Sequence, residues 1–340
     1  MDKITIKDIA KKAGVSIATV SYVINKSRPV SPELAARVNA AIKEIGYYPD
    51  TNARSLKSKR TSTIGLIVPD NANPFFAEIA KGVEDAGFEA GFSVILCNSN
   101  AMIERELAYI DLLLSKRVDG VIFAPTSLSI QPIKRLVDLG IPVAVFYRET
   151  SGLDVDSVRI NNLESGQRAT QYLIDLGHRD IACIRPLSME TPSGQRVDGY
   201  QRAMAGAGLA LSQDLMPQGN NRISGGEIAA RRLLESGKRF SAIFSANDAM
   251  AIGAMRALRD AGLRIPGDVS VVGFDDITLA RYSEPPLTTI AQPKQEAGTL
   301  AVQRIVERID KQHTGGPREF VMETTLIERR SAAHYQPGES

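Results

Sequence analysis

The first sixty residues carry apolar positions at helical spacing and no strand pattern. Ile6, Ile9, Ala10 and Ala13 recur on one helical face, with Thr5 and Asp8 placed as a capping box and Gly14 as a closing glycine. Val15 leads into Ser16, a second N-cap, and a predicted helix through about Asn25. Ser31-Pro32-Glu33 combines a cap, a proline at the first helical position and an acid in the first turn. Leu34, Val38, Ile42 and Ile45 form the apolar stripe of that third helix, ended by Gly46. Two short helices joined by a tight glycine turn and packed on a third make a helix-turn-helix module. Residues 50–61 then offer a turn or two of helix, basic and with little to bury. Alone, so short a helix is marginal, so this segment reads as a linker with helical potential.

From Thr63 the pattern changes to alternating strands and helices. Strands are predicted at 64–68, 93–97, 120–123, 143–146, 181–184, 242–244 and 269–273. Helices are predicted over about 75–90, 103–116, 130–139, 165–176, 195–207, 226–235 and 249–261. Such alternation specifies parallel sheets covered by helices on both faces. Two successive sets of units predict two similar lobes. The chain therefore divides into an all-α head (1–49), a hinge (50–61), an α/β body (62–330) and a polar tail (331–340) expected to be flexible.

Charge sharpens this division. Residues 1–60 hold twelve Lys and Arg against five Asp and Glu, a net +7; the other 280 hold 29 against 34, a net −5. A basic end on an acidic body is a nucleic-acid footprint beside a domain with another task. No apolar run approaches the roughly 18 residues of a membrane span. The first residues lack the apolar core of a signal peptide, so a cytoplasmic location is expected. Cys97 and Cys183 sit in apolar segments and read as reduced core residues. The three His (His178, His313, His334) are too scattered for a His-rich metal centre, and no metal or other cofactor is expected. His178 follows a predicted helix and reads as a partner for its C-terminal dipole.

On the second helix Val20, Val23 and Ile24 mark the core side. At about 100° per residue, Ala18, Tyr22 and Asn25 point the opposite way, flanked by Thr19 and Ser21. This face is small, polar and aromatic. It fits a major groove; a plain solvated helix in another three-helix module is the alternative. The stretches Ile6-Lys7-Asp8-Ile9-Ala10-Lys11-Lys12-Ala13-Gly14-Val15-Ser16 and Thr19-Val20-Ser21-Tyr22-Val23-Ile24-Asn25 resemble the DNA-binding head of the lactose-repressor (LacI/GalR) family. Ala53-Arg54-Ser55-Leu56-Lys57 resembles that family's hinge helix. The similarity continues through Asn73-Pro74-Phe75-Phe76, Lys116-Arg117-Val118-Asp119-Gly120, Asn247-Asp248-Ala249-Met250-Ala251 and Gly273-Phe274-Asp275-Asp276. It ends with Pro286-Leu287-Thr288-Thr289-Ile290 and Leu326-Ile327-Glu328-Arg329-Arg330. Within the family the chain is most similar to the ribose- and purine-type repressors.

The resemblance implies a bacterial homodimer on a palindromic operator of double-stranded DNA, with the body a two-lobed, type I periplasmic-binding-protein-like fold. Recognition would fall to Ser16, Ile17, Ala18, Thr19, Ser21 and Tyr22, with Asn25 and Arg28 nearby. Ile17 lies at the edge of the outward face, where a partly buried core role is the alternative. Leu56 would be the apolar wedge that kinks the duplex; an ordinary interface leucine is its alternative.

A small-molecule effector, a sugar or a nucleoside- or purine-like compound, would lie between the lobes. Phe75 and Phe76 would form an aromatic wall, with Asn73, Tyr147, Arg148, Arg196, Asn247, Asp275 and Gln292 as polar partners. Each polar residue falls near the end of a predicted strand or a helix start, where open α/β sheets gather ligands. Taken singly, each also fits a capping or lobe-interface residue, and Asp248 reads as an N-cap. Tyr147-Arg148 departs from the Asp-Arg of sugar-binding members and removes an acceptor pair for ring hydroxyls. No P-loop, GxGxxG, HExxH or GxSxG motif is present, so an enzyme is not expected. A transport receptor would leave the basic head unexplained, and a purely architectural DNA-binding protein would leave the cleft residues unexplained. The expected function is a ligand-responsive transcriptional repressor of a carbohydrate or nucleoside operon.

Overall fold

Local start and stop signals set the three head helices. A computed structural model of the chain describes residues 4–25, 28–47, 60–125, 129–146, 152–312 and 315–336. Helix α1 spans Ile6–Ala13, α2 Ile17–Asn25 and α3 Pro32–Ile45. The Asp8 carboxylate accepts the Thr5 N–H at 2.8 Å and its hydroxyl at 2.7 Å. Gly14 and Gly46 close α1 and α3 in the left-handed region. Ile9, Ala10, Ala13, Val20, Val38 and Ala41 form the small core of this unit. Its bulk is modest, and polar braces supplement it. From α3, Arg37 donates to the Ala13 and Gly14 carbonyls at 2.7 and 3.2 Å, fixing the turn between α1 and α2.

The body, 62–340, is a separate compact unit. Its first lobe runs β1 (Thr63–Val68), α4 (Pro74–Glu89), β2 (Ser93–Asn98), α5 (Ile103–Ser115), β3 (Gly120–Phe123), α6 (Gln131–Asp138), β4 (Val143–Phe146) and β5 (Asp156–Ile160). The second follows with α7 (Asn162–Asp175), β6 (Ile181–Ile184), α8 (Pro192–Gly206), α9 (Ile223–Glu235), β7 (Ala242–Ser245), α10 (Asp248–Asp260), β8 (Ser270–Asp275), α11 (Thr278–Tyr282) and β9 (Thr288–Ala291). The chain then returns to the first lobe with α12 (Lys294–Ile309) and β10 (Glu319–Met322), and to the second with β11 (Thr325–Ile327). The two lobes are thus not simply successive, as the sequence pattern predicts. Helix α12 packs on α4 and over β3, β4 and β5, and β10 pairs with β5.

The first sheet has strand order β10-β5-β4-β3-β1-β2 and is parallel throughout. The second has order β11-β9-β8-β7-β6, with only β11 antiparallel. A parallel bridge between Arg185 and Gln218 continues the second sheet beyond β6. Both sheets therefore reverse their winding beside their first strand, the place where open α/β sheets bind ligands. Helix crossings are close because glycines face backbone: a Cβ on Gly82 or Gly298 would press on the facing backbone of α12 or α4 within 3 Å. Gly166 with Gly199 and Gly226 with Gly253 do the same for α7/α8 and α9/α10.

Two expectations are corrected here. The tail is docked as far as Tyr335. Ser331 is fully buried and bonds Val271 O at 2.6 Å and Thr288 N at 2.8 Å, while Tyr335 N donates to Leu176 O at 2.8 Å. His178 is buried rather than a dipole partner: its Nε2 donates to Ala333 O at 3.1 Å and its Nδ1 lies 2.9 Å from the Ser241 hydroxyl. Burial pushes its pKa down, which favours the neutral ring.

Candidate functional site

In the head, Ser16 caps α2. Its Oγ accepts the Thr19 N–H at 3.0 Å and lies 2.9 Å from the Thr19 hydroxyl. Ser16, Ile17 and Ala18 are exposed, Thr19, Ser21 and Tyr22 are half-buried, and Val20 is wholly buried. Ile17, at 45% exposure, belongs to the outward face and not to the core. The Arg28 guanidinium stands 5.3 Å from the centre of the Tyr22 ring, so a cation and an aromatic share one edge of this face. Leu56 and the hinge through residue 59, like Tyr147 and Arg148, lie outside the described residues, and so does the Asn25 side chain.

In the body, a cavity of about 350 Å³ opens between the lobes. The carboxyl ends of both sheets face it: Pro69 and Asp70 follow β1, Ala124 and Pro125 follow β3, and Asn247 follows β7. Asn73, Phe75, Phe76, Arg196, Asn247 and Asp275 all line it. Phe75 and Phe76 meet edge to face at 5.1 Å. Asn73 and Asn247 are both helix caps, accepting the Phe75 N–H at 3.0 Å and the Met250 N–H at 2.8 Å. Each cap spends its amide group on the Asn221 carbonyl, at 3.5 Å from Asn73 and 3.1 Å from Asn247. One carbonyl of the second lobe thus ties together the caps of both.

Arg196 is buried and held in a fixed pose. Its Nε donates to Asn162 Oδ1 at 2.9 Å, and its Nη1 to Ala246 O at 2.7 Å and Asp275 Oδ1 at 3.0 Å. Its guanidinium stacks on Phe274 at 3.8 Å. Asp275 Oδ1 also receives the Gln292 amide at 2.6 Å. Burial pushes the Asp275 carboxyl up, while the charges of Arg196 and Lys294 pull it down. Asp275 has φ +112° and Asp276 +51°, conformations that cost of order 1–3 kcal/mol each and persist only where surroundings impose them.

Family models match the chain in two blocks. Residues 5–50 match the bacterial regulatory proteins of the lacI family, and 61–330 the periplasmic binding proteins and sugar binding domain of that family. The chain belongs to the LacI family. It is 43% identical to the ribose operon repressor of Escherichia coli K12 over 330 residues, covering 96% of this chain and 99% of the relative. It is 41% identical to the HTH-type transcriptional repressor PurR of Vibrio campbellii over 96% of this chain and 98% of that one. A solved lac repressor dimer, bound to operator and the anti-inducer ONPF, matches with a TM-score of 0.85 at 26% identity, covering 98% of this chain and all of that one.

LacI-family repressors are ligand-responsive DNA-binding regulators that act as dimers on operators, and this LacI-family chain is a regulator of that kind. Its named relatives are repressors. No helix of the described residues is long and apolar enough to cross a membrane.

Two sequence expectations change in the cleft. Gln292 does not line the cavity; it sits behind Asp275 and bonds to its carboxylate, because β9 is the next strand beyond β8 in the same sheet, on the side away from β7. Asn247, not Asp248, caps α10; Asp248 is fully buried, accepting Thr289 Oγ1 at 2.6 Å and Ile277 N at 2.9 Å. Sequence reasoning missed Asp70, Asn221 and Arg222, which line the cavity, with Arg222 paired to Asp70 across the lobes at 2.8 Å. The strand-end rule points to Asp70 directly. Asn221 and Arg222 follow no predicted strand and carried no such signal.

Proposed function

We propose that the cavity between the lobes binds a small hydroxyl-rich effector and that α2 reads the operator, in a cytoplasmic repressor without catalytic activity. The observation that carries this reading is the Asp275–Arg196 pair. A buried carboxylate and a buried guanidinium, pinned by protein partners, face a cavity whose apolar walls are Phe75, Phe76, Phe146 and prolines and whose polar walls include Asn73, Asn221 and Asn247. Hydroxyls match fixed charges, and aromatic faces match the C–H side of a sugar ring. A pentose or a related sugar fits best, in keeping with the similarity to a ribose operon repressor. A purine-like ligand is the second reading, in keeping with the similarity to PurR. Asn73 and Asn247 would meet the effector from opposite lobes, so that occupancy and lobe arrangement are linked.

The test is a melting-temperature screen with D-ribose, other pentoses, hexoses, polyols, nucleosides and purine bases. A ligand of the folded state raises the midpoint by mass action. A response to one class that Asp275→Ala abolishes supports the reading; an undiminished response in that variant sinks it. For the head, Tyr22→Ala should cost about 1–3 kcal/mol on the best operator and far less on random duplex. Equal losses on both would remove Tyr22 from sequence reading.

A further inference from the structure

We propose that Glu78 and Lys294 are positioning residues that set the Asp275 carboxylate for the effector. This rests on the reading of the cleft above. The turn from Asp275 to Thr278 leaves the end of β8 in a strained conformation, with φ +112° and +51° at its first two residues. Side chains from three different places hold its backbone, and a fourth holds the Asp276 carboxylate. The Lys294 ammonium donates to the Asp275 and Asp276 carbonyls, both at 2.6 Å. The Ile277 N–H goes to Asp248, and the Thr278 N–H and hydroxyl go to Glu78 Oε1, both at 2.9 Å. The Asp276 carboxylate is taken by Arg329 at 2.6 Å.

These clamps divide by lobe. Asp248 on α10 and Arg329 after β11 belong to the same lobe as the turn. Glu78 sits on α4 of the other lobe, four residues after the N-terminal Pro74. Lys294 opens α12, which packs against α4, and its ammonium lies 3.3 Å from Glu78 Oε2. Lys294 is buried; its ammonium donates to the two turn carbonyls and is ion-paired with Glu78. The strained turn that carries Asp275 is therefore held in part by the opposite lobe. Any rearrangement that draws α4 away removes the Glu78 clamp and frees Asp275 to relax. Effector affinity and this lobe arrangement then report one equilibrium.

The experiment measures amide exchange at Ile277 and Thr278 in full-length, ligand-free protein, together with D-ribose affinity by calorimetry, for wild type, Glu78→Ala and Glu78→Gln. Glu78→Ala should speed exchange at Thr278, its direct partner. It should also speed exchange at Ile277, whose own acceptor Asp248 is untouched, by about tenfold or more. D-ribose affinity should fall about tenfold. Glu78→Gln, which keeps an acceptor for Thr278 but loses the charge facing Lys294, should give an intermediate effect on both. A local structural role would change Thr278 alone, so unaltered Ile277 exchange in Glu78→Ala overturns the proposal. Should Glu78→Ala fail to fold, Ile277 exchange in Glu78→Gln decides in the same way. Should wild type not bind D-ribose, the pentose reading falls while the exchange result still decides the positioning role.

Discussion

Two carboxylates with no exposed surface have opposite electrostatic fates in this body. Asp156, on β5 at the border with β10, has no exposed surface, and neither has Asp248 on α10 beside the cleft. Burial alone pushes both pKa values up. Asp156 receives Arg308 at 3.0 and 3.1 Å, Arg318 Nη2 at 2.9 Å and the Arg318 backbone N–H at 2.9 Å. Two guanidiniums and four bonds overcome the burial and hold its pKa at about 2. Asp248 receives only a hydroxyl and one backbone N–H, and the nearby Asp275 carboxylate adds repulsion. Burial then dominates, and its pKa lies well above the ordinary range. The position of Asp248 in the first turn of α10 favours its charge through the helix dipole, but that term of about 1 kcal/mol does not reverse the balance. Lack of exposed surface does not by itself decide charge; the depth of burial and the number and sign of the donors decide it together. The sheet border keeps its carboxylate matched by two guanidiniums, whereas beside the cleft Arg196 and Lys294 face Asp275 and Asp248 keeps only neutral donors.

The largest test of this contrast is Asp156→Asn. The amide cannot match both guanidiniums, so two buried cations lose their counter-charge. Breaking such a buried pair should cost roughly 3–5 kcal/mol, read as a lower denaturant midpoint at unchanged slope. The sign with pH follows from the lowered pKa: the contribution is complete above the unfolded carboxylate value of about 4 and is lost as pH falls toward the folded value of about 2. The gap between wild type and variant should therefore close between those limits. A gap that stayed constant down to acid pH would mean that packing, and not charge, holds Asp156.

Asp275→Ala comes next in size. Here the effect belongs on effector affinity, because the lost carboxylate takes the charged acceptor from Arg196, which keeps only the Asn162 and Ala246 oxygens, and removes the acceptor of the Gln292 amide. The compound found in the melting-temperature screen should bind more weakly by about 2–3 kcal/mol. An effect on global stability as large as that of Asp156→Asn, with affinity unchanged, would make the cleft pair structural and dissolve the contrast.

The sequence made local decisions readable. Thr5, Ser16 and Ser31 start helices and Gly14 and Gly46 stop them, because capping acts within four residues. The buried central strands were legible as apolar runs, since parallel sheets cover both faces. Strand β10 was not: its four residues, Glu-Phe-Val-Met, alternate between exposed and half-buried at a sheet edge, and its partner β5 lies about 160 residues earlier. Helix α12 was missed with it although Ala297, Ala301, Val302, Ile305 and Ile309 recur at helical spacing; only its return to the first lobe carries no local mark. Site residues divided in the same way. Asn73, Asn247 and Asp275 were legible because strand ends and helix starts mark the cleft. Gln292 follows the strand next to the one that carries Asp275 and so stands behind it, and the role of Asp248 depends on Thr289 and Ile277, partners 41 and 29 residues away.

The smallest expected effect is also the sharpest test of the contrast: Asp248→Asn. If Asp248 is protonated at neutral pH, its acid hydrogen points to Thr289 Oγ1 and its other oxygen accepts the Ile277 N–H. An asparagine reproduces both bonds, with its amide nitrogen toward Thr289 and its oxygen toward Ile277. The change in stability near neutral pH should therefore stay within about 1 kcal/mol. The pH dependence carries the distinction. A carboxyl with a raised folded pKa makes the folded state retain a proton that the unfolded chain releases. Its penalty is absent below the unfolded value and grows as pH rises toward the folded one. Wild type should therefore lose stability relative to Asp248→Asn on going from pH 4 upward, opposite in sign to the Asp156 pair. A loss of several kcal/mol in Asp248→Asn, with the slope of Asp156, would show that the cleft carboxyl is charged and as fully matched as its counterpart at the sheet border.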